Sequence, residues 1–359
     1  GAAGPAYLLA GGGTAGHVNP LLALADHISR VDPTAVIVAL GTREGLEARL
    51  IPERGYELVC IERLPFPRRP NLAALRFPAR FARAVREVRA LLRERHIDVV
   101  VGFGGYAATP AYVAAHREGI PVVIHEANAK PGLANRLGAR YTSFVGVTFD
   151  GTPIPGARVT GMPLRPEIAH LDRAVSRAAA LKHFGLAADR TTLLVTGGSL
   201  GARAINRAIA GSAAELVAAG VQVLHVWGGL TEVEDPGVAG YRVIPYCDRM
   251  DLAFAAADLT ISRAGSTTVS ELSGLGVPAV LVPYTSGNGE QRHNAAAVVR
   301  AGGALLVEDS QLSPDWVRGT LIPLLLNDAR LAEMSQRARS VGALDGTERL
   351  FALVQEAVA

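Results

Sequence analysis

The same local pattern occurs twice in this chain, once in each half. An apolar run enters a cluster of glycines and a helical pattern follows, first at Leu8-Leu9-Ala10-Gly11-Gly12-Gly13 and again at Leu194-Val195-Thr196-Gly197-Gly198-Ser199. Short apolar runs alternate with helical patterns along the rest of the chain, which is typical of βαβ units and parallel sheets. The sequence therefore predicts an α/β protein with two Rossmann-like halves.

The length of 359 residues fits two domains, because domains commonly hold about 100–200 residues. A turn-forming stretch near residues 150–156 predicts the linker. We therefore expect an N-terminal domain at 1–160, a C-terminal domain at 161–344, and a helix at 345–359 that packs back on the first domain. Two open sheets joined in this way leave a cleft at the carboxyl ends of their strands, where ligands bind in such folds.

Twelve strands are expected, six in each half. They are Tyr7–Ala10, Ala35–Leu40, Glu57–Cys60, Asp98–Val101, Val122–His125, Ser143–Val147, Thr192–Thr196, Gln222–Val226, Tyr241–Ile244, Leu259–Ser262, Ala279–Val282 and Ala304–Val307.

Several classes of protein are disfavoured by composition. Only two cysteines occur, Cys60 and Cys247, without CxxC spacing, so neither a zinc cluster nor a disulfide framework is expected. No apolar run approaches the roughly 18 residues of a membrane-spanning helix, and the first strand does not resemble a secretory signal. No Asp-x-Asp occurs, which supports the expectation that no metal is needed. No cofactor is expected either. The chain is expected to be cytoplasmic.

The first glycine cluster leads into Thr14-Ala15-Gly16-His17 at the start of a helix. Small residues there let the backbone approach a phosphate or hydroxyl, and the helix N-terminus offers free N–H groups. His17 would lie near the positive end of the helix dipole, which favours a neutral imidazole able to accept a proton. The alternative is a histidine that only caps the helix.

The second glycine cluster places the Ser199 hydroxyl beside a similar turn. It is not a P-loop, because no Gly-Lys-Ser/Thr follows, and it lacks the full GxGxxG spacing of a dinucleotide site. No acidic residue ends the next strand to hold a nicotinamide ribose, since Gln222–Trp227 leads into glycines. NAD binding is therefore disfavoured.

The most informative segment is Ser262-Arg263-Ala264-Gly265-Ser266-Thr267-Thr268-Val269-Ser270-Glu271. It follows a strand and starts a helix with three hydroxyl residues, so N–H and O–H groups can converge on an anionic phosphate. Glu271 lies further along that helix, where a carboxylate can hold a ribose diol. The alternative is an ordinary capped helix with a solvated glutamate.

Three further groups of residues are candidates for a site. Two of them follow predicted strands, and the third lies on one face of a predicted helix. They are Gly102-Phe103-Gly104-Gly105-Tyr106, His125-Glu126-Ala127-Asn128, and the pair Gln291 and Asn294. The first two face the expected cleft, and the pair could read hydroxyl or amide groups. A buried hydrogen-bonded pair and solvated polar surface remain the plainer interpretations.

Taken in order, these motifs resemble the MurG family of glycosyltransferases. The matching segments span nearly the whole chain: Gly12–Pro20, Gly102–Tyr106, His125–Asn128, Gly161–Arg165, Gly197–Arg203 and Arg263–Glu271. The resemblance implies the GT-B fold of two Rossmann-like domains. It also implies inverting transfer of N-acetylglucosamine from UDP-GlcNAc to the C4 hydroxyl of MurNAc in lipid I, the undecaprenyl-pyrophosphoryl-MurNAc-pentapeptide, giving lipid II for peptidoglycan.

The resemblance also implies roles for individual residues. His17 is the leading candidate for the catalytic base, with Glu126 as its rival or orienting partner. The acceptor pyrophosphate is expected at Gly104, Gly105 and Tyr106. The residues expected around the donor are Thr14, Ala15, Gly16, Asn128, Arg165, Ser199, Cys247, Arg263, Ser266, Thr267, Thr268, Val269, Ser270, Glu271 and Gln291.

A basic and apolar segment precedes one long helical pattern. Leu72, Leu75 and Phe77 are interleaved with arginines in a proline-broken stretch that we interpret as a loop. Such a loop suits shallow insertion beside anionic headgroups. The expected location is therefore peripheral, on the cytoplasmic leaflet of the cell membrane, and no nucleic-acid partner is expected.

Two other functions remain open. A UDP-GlcNAc 2-epimerase on a similar two-domain scaffold would need no lipid acceptor. A nonenzymatic sugar-nucleotide or lipid-carrier subunit would bind the donor without turnover.

Overall fold

The computed structural model describes residues 3–197, 202–228, 234–286 and 288–359. The chain forms two compact units: Gly1–Arg165 together with Asp345–Ala359, and Pro166–Leu344.

The first unit is built on a parallel sheet of seven strands in the order β3-β2-β1-β4-β5-β6-β7. The strands are β1 (Ala6–Ala10), β2 (Val36–Gly41), β3 (Glu57–Cys60), β4 (Val99–Gly102), β5 (Val122–Glu126), β6 (Val145–Val147) and β7 (Arg158–Val159). The helices before the second unit are α1 (Ala15–Val31), α2 (Glu47–Glu53), α3 (Leu72–Glu94), α4 (Ala108–Glu118) and α5 (Leu133–Gly138).

The sheet is buried on both faces because successive side chains of each strand point to opposite sides. Leu8 of β1 and Val100 of β4 belong to the apolar cluster that includes residues of α3 and α4. Leu9 and Val101, their neighbours in sequence, belong to the cluster that includes residues of α1. Strands buried on both faces read as continuous apolar runs, which is why they were visible in the sequence.

The second unit repeats this plan with six parallel strands in the order β10-β9-β8-β11-β12-β13. The strands are β8 (Thr191–Thr196), β9 (Val221–Val226), β10 (Tyr241–Ile244), β11 (Leu259–Ser262), β12 (Ala279–Leu281) and β13 (Ala304–Leu306). The helices are α6 (Pro166–Ala169), α7 (Arg173–Phe184), α8 (Arg203–Ala210), α9 (Ala213–Ala218), α10 (Met250–Ala256), α11 (Ser266–Leu275), α12 (Glu290–Ala301), α13 (Pro314–Trp316), α14 (Ile322–Leu325) and α15 (Asp328–Val341). A 3₁₀ turn spans Asp309–Gln311 and a π-helical turn spans Val317–Leu321.

The last helix, α16 (Gly346–Val358), packs on the first unit. Its Leu350 and Val354 are fully buried in the cluster that contains residues of α1. Phe351 stacks edge-on against His27 of α1, with ring centroids 5.1 Å apart. The first unit also extends to Arg165 rather than ending at 160, and the Gly161 carbonyl accepts the Nε2 hydrogen of His125 over 3.0 Å.

The predicted fold class is confirmed: both sheets are parallel and of the Rossmann type. All twelve expected strands are present within two residues of their predicted ends. The two-residue strand β7 was missed, because so short a strand leaves no alternation to detect. No helix within the described parts of the chain is both long enough and apolar enough to cross a bilayer.

The strand order of each sheet indicates where that unit could bind a ligand. The order reverses between β1 and β4 in the first sheet and between β8 and β11 in the second. Ligands of open α/β sheets bind beyond the carboxyl ends of the strands at such a reversal.

Candidate active site

Two glycine turns meet at the carboxyl ends of β1 and β4 in the first unit. Gly104 and Gly105 both have positive φ angles, 98° and 91°. A Cβ atom on Gly105 would lie 2.6 Å from the carbonyl oxygen of Gly12, so this close approach requires glycine. The geometry brings together the first glycine cluster and the Gly104-Gly105 turn, which are far apart in sequence.

His17 lies in the first turn of α1, half-buried, against both turns. Its Nδ1 donates to the carbonyl oxygen of Gly12 over 2.8 Å. A carbonyl only accepts hydrogen bonds, so a neutral ring carries its hydrogen on Nδ1 and a lone pair on Nε2. That Nε2 faces Gly104, where a Cβ would lie 3.1 Å away. The ring can therefore accept a proton at the surface formed by the two turns.

Glu126 is buried at the end of β5, and its carboxyl group accepts three hydrogen bonds. The backbone N–H groups of Gly132 and Asn128 donate over 2.8 Å and 3.0 Å, and Nδ2 of Asn135 donates over 3.3 Å. Burial raises the pKa of Glu126, while these donors and the nearby His17 act in the opposite direction. Glu126 thus fastens the loop after β5 beside His17, which suits an orienting partner better than a freely exposed base.

A buried polar network supports this loop and was missed from the sequence. Tyr112 of α4 donates its hydroxyl hydrogen to Oδ1 of Asn135 over 2.7 Å, and Asn135 in turn contacts Glu126. Burial raises the pKa of Tyr112 well above its usual value. Both residues lie inside helical patterns, where a tyrosine and an asparagine look like ordinary packing and solvated surface. No local pattern in the sequence signals that these two side chains meet.

The remaining first-unit residues expected at the site surround these turns. Tyr106 is 38% exposed, and the guanidinium of Arg63 lies 4.9 Å from its ring centroid. Thr14 is the exposed N-cap of α1 and makes no side-chain capping bond, and Ala15 and Gly16 follow half-buried. The start of α1 therefore has main-chain groups at the surface.

In the second unit the turn from β11 into α11 has the form expected of an anion site. Gly265 is the N-cap of α11, extended and without a side chain to cap the helix. Ser266 is buried and Thr268 is half-buried in the first turn. The Thr267 hydroxyl is buried and makes no hydrogen bond to any residue that the structure describes. Uncapped N–H groups and an unpaired hydroxyl at a helix start favour a bound anion.

Two side chains expected to touch the donor also make hydrogen bonds to the loops behind that turn. Oε1 of Gln291 accepts the backbone N–H groups of Ala264 and Tyr284, over 3.1 Å and 2.8 Å. The Arg263 guanidinium is 7% exposed and pairs with Asp309 over 2.6 Å. Gln291 therefore joins the loops after β11 and β12, and Arg263 joins the loop after β11 to the 3₁₀ turn after β13.

Other expected donor residues vary in their surroundings. The Ser270 hydroxyl donates to the Ser266 carbonyl over 2.7 Å, and Val269 is only 2% exposed. Glu271 and Cys247 are buried. Arg165 is the last residue of the first stretch of the first unit, whereas the expected boundary at 160 had assigned it to the second domain. Ser199 lies outside the described residues.

The prediction of a loop at the membrane-facing segment is wrong, because the segment is helical. Leu72, Leu75 and Phe77 lie in the first turns of α3, because Asn71 caps that helix by accepting the Ala74 N–H over 3.0 Å. Leu72 and Leu75 are 60% and 80% exposed. Phe77 instead packs on Phe81, with ring centroids 5.7 Å apart. Of these three side chains, only the two leucines are exposed.

No three His, Cys, Asp or Glu side chains converge as a metal site would require, within the ranges that the structure describes. The groups that these turns offer to a substrate are hydrogen-bond donors, the His17 imidazole and helix N-termini.

Comparison with known proteins matches both units to one family. Residues 7–147 match the glycosyltransferase family 28 N-terminal domain, and residues 192–350 match its C-terminal domain. A relative from Leifsonia xyli subsp. xyli, named as the UDP-N-acetylglucosamine–N-acetylmuramyl-(pentapeptide) pyrophosphoryl-undecaprenol N-acetylglucosamine transferase, is 63% identical over 98% of both chains.

Solved structures give the same result. The crystal structure of Acinetobacter baumannii MurG superposes with a TM-score of 0.82 at 28% identity, covering 98% of this chain and 100% of that one. A Listeria monocytogenes protein assigned as a UDP-N-acetylglucosamine 2-epimerase superposes with a TM-score of 0.67 at 14% identity, covering 98% and 96%. At that identity the second likeness shows a shared fold alone.

Proposed function

The chain belongs to glycosyltransferase family 28 and, within it, to the MurG family, and from that membership we propose that it transfers N-acetylglucosamine from UDP-GlcNAc to lipid I. The observation that carries the proposal is the 63% identity over 98% of both chains with the named transferase. The geometry of each unit supports it, because the first presents a base and the second a site for an anion.

His17 is the proposed base. Its Nε2 accepts the proton of the MurNAc C4 hydroxyl, and the hydroxyl oxygen then attacks the anomeric carbon of N-acetylglucosamine. The bond from that carbon to the UDP oxygen breaks, and its electron pair leaves on the diphosphate. Attack opposite the leaving group inverts the anomeric centre. A positioned base of this kind contributes about 10²–10⁴ in rate.

The start of α11 is proposed to hold the diphosphate of UDP. The N–H groups after Gly265, with the hydroxyls of Ser266, Thr267 and Thr268, donate to oxygens on which charge develops as UDP leaves. Glu271 is proposed to accept hydrogen bonds from the ribose hydroxyls. Ser199, Arg165 and Cys247 remain proposals by resemblance alone.

The first unit is proposed to take the acceptor. In this proposal the Gly104-Gly105 turn and Tyr106 contact the lipid I pyrophosphate beside His17. We also propose that the enzyme is peripheral to the cytoplasmic leaflet. In support, Leu72 and Leu75 are exposed on α3, close in sequence to the exposed Arg68, Arg69 and Arg76.

An assay of the purified chain with UDP-GlcNAc, with and without lipid I, tests the function. We expect UDP release only when lipid I or a soluble analogue is present, together with a disaccharide product. Formation of UDP-N-acetylmannosamine without acceptor would support the epimerase instead. Binding of UDP-GlcNAc without any turnover would support a carrier subunit.

A further inference from the structure

Glu47, the first residue of α2, is a buried carboxylate that the mechanism above does not use. Its side chain is 1% exposed. Oε1 accepts the N–H and the hydroxyl of Thr42 over 2.9 Å and 3.1 Å, and Oε2 accepts the N–H of Gly13 over 2.8 Å. A fully buried carboxylate is costly unless it is satisfied in this way. The last of these bonds joins it to the glycine turn beneath His17.

The chain makes room for this carboxylate with glycines. A Cβ atom on Gly12, Gly41 or Gly45 would overlap the side chain of Glu47. Gly12 also has a φ of 151°, which other residues rarely adopt. Glycine at these three positions therefore leaves space for the Glu47 carboxylate. At Gly12 it also allows the backbone conformation of the turn.

Glu47 and His17 bind the same peptide group from opposite ends. The N–H that donates to Glu47 belongs to Gly13, and the carbonyl that accepts the His17 Nδ1 hydrogen belongs to Gly12. Those two groups are joined by one peptide bond and point in opposite directions when it is trans. Both hydrogen bonds are 2.8 Å long.

This arrangement makes the Gly12 carbonyl a stronger acceptor. A carboxylate that accepts the N–H end of a peptide polarises it, and hydrogen bonds in a chain strengthen one another in a low-dielectric interior. A stronger acceptor at Gly12 holds the ring hydrogen of His17 on Nδ1 and orients the ring. Nε2 then keeps the lone pair.

We propose that Glu47 is a positioning residue for His17, acting through the Gly12–Gly13 peptide to fix the imidazole in the tautomer that a general base requires. The role of His17 as base rests on the proposed function, whereas its tautomer is a property of the first unit and can be measured without turnover. The competing explanation is that Glu47 only stabilises the turn around Thr42.

The tautomer is tested by ¹⁵N NMR of the full-length protein labelled at histidine, with the His17 signals identified by their loss in His17→Gln. In the wild type we expect the Nδ1–H tautomer. In Glu47→Gln we expect a mixture with the Nε2–H tautomer, because an amide cannot accept from both Thr42 and Gly13 through one oxygen. Thr42→Val is the matched control: it removes one bond to the same carboxylate, keeps the bond to Gly13 and should leave the tautomer unchanged.

Two NMR results would overturn the proposal. One is an Nε2–H tautomer in the wild type, a result that does not depend on the folding of any Glu47 variant. The other is an unchanged tautomer in a folded Glu47→Gln.

Kinetics provide the second readout. Glu47→Gln should lower kcat by about 10- to 100-fold, as the loss of an orienting partner does, and leave KM for UDP-GlcNAc within about twofold. If Glu47 acts through His17, then Glu47→Gln combined with His17→Ala should be no slower than His17→Ala alone. Fully additive losses would contradict the proposal. An inactive wild type with the expected NMR result would refute the proposed function and leave the tautomer inference standing.

Discussion

Oε1 of Glu126 accepts the backbone N–H of Gly132 across a distance of 2.8 Å, and this bond closes the loop that follows β5. The same carboxyl group accepts the N–H of Asn128 at its other oxygen over 3.0 Å. A carboxylate with both oxygens engaged by its own loop organises the site around His17. These bonds favour the role of orienting partner for Glu126 and that of base for His17.

Glu126→Gln should therefore lower stability as well as activity. An amide can accept only one of the two backbone N–H groups, and its NH₂ faces the other, so we expect the free energy of unfolding to fall by about 1–3 kcal/mol. Urea denaturation of the full chain measures this. Unchanged stability with abolished turnover would return Glu126 to the role of base.

His17→Ala should lower activity strongly while changing donor affinity little. We expect kcat to fall by about 10²–10⁴ because the proton acceptor is lost. UDP-GlcNAc affinity should change much less, because the helix start and Glu271 proposed to hold the diphosphate and ribose lie in the second unit. Steady-state kinetics and calorimetric titration of donor separate the two quantities. Near-normal turnover would assign the base role to another residue.

Glu271→Gln should weaken donor binding. Losing hydrogen bonds between a carboxylate and the ribose hydroxyls costs about 1–3 kcal/mol, or roughly 5- to 150-fold in Kd. Isothermal titration with UDP measures the change. Glu333→Gln, an exposed ion-paired residue of α15 in the same unit, is the control and should bind normally. Equal affinity in both variants would remove Glu271 from the ribose site.

Leu72→Ser combined with Leu75→Ser should reduce binding to anionic vesicles with little effect on stability, because both side chains are mostly exposed. Shallow burial of two leucines contributes a few kcal/mol, so the vesicle partition constant from co-sedimentation should fall by about tenfold or more. Val31→Ser, 57% exposed on α1, is the control. Vesicle binding that survives the double change would place the membrane contact elsewhere.

Phe77→Ser should instead destabilise the first unit, because that ring packs between Phe66 and Phe81. The loss should be of the order of 2 kcal/mol, typical of a partly buried aromatic side chain. Thermal unfolding measures it. Wild-type stability with lost vesicle binding would show that Phe77 acts at the membrane after all.

Stability should fall as the pH is lowered through the histidine range. Burial lowers the pKa of His125 and of His225 from 6.5 to about 4. The unfolded chain therefore binds protons between about pH 6.5 and pH 4 that the folded chain does not, so the free energy of unfolding decreases as pH falls through this window. Each group contributes up to about 3 kcal/mol.

Denaturation curves of His225→Gln at several pH values test this dependence. We expect a smaller slope than in the wild type, whereas His293→Gln, at an exposed position of α12, should keep the wild-type slope. If the free energy of unfolding changed with pH equally in the wild type and in His225→Gln, the proposed contribution of His225 would be contradicted.

The local periodicity of the sequence determined the two-unit α/β architecture, all twelve of the strands we expected and the turns where chemistry is concentrated. Apolar runs buried on both faces, and glycines that end them, carry their signal within a few neighbouring residues. The turn at Gly265 was predictable for this reason.

Only the tertiary structure decided which distant side chains meet at those turns. Glu47 reaches Gly13 from 34 residues away, and Tyr112 meets Asn135 from 23 residues away. The order of strands in the sheet sets these contacts, and no spacing rule encodes them. The same holds for Phe77, which packs on two other phenylalanines, and for Gln291, which binds two backbone N–H groups. The sequence shows that one side chain is apolar and the other polar, but the packing of whole elements decides which neighbours each side chain contacts.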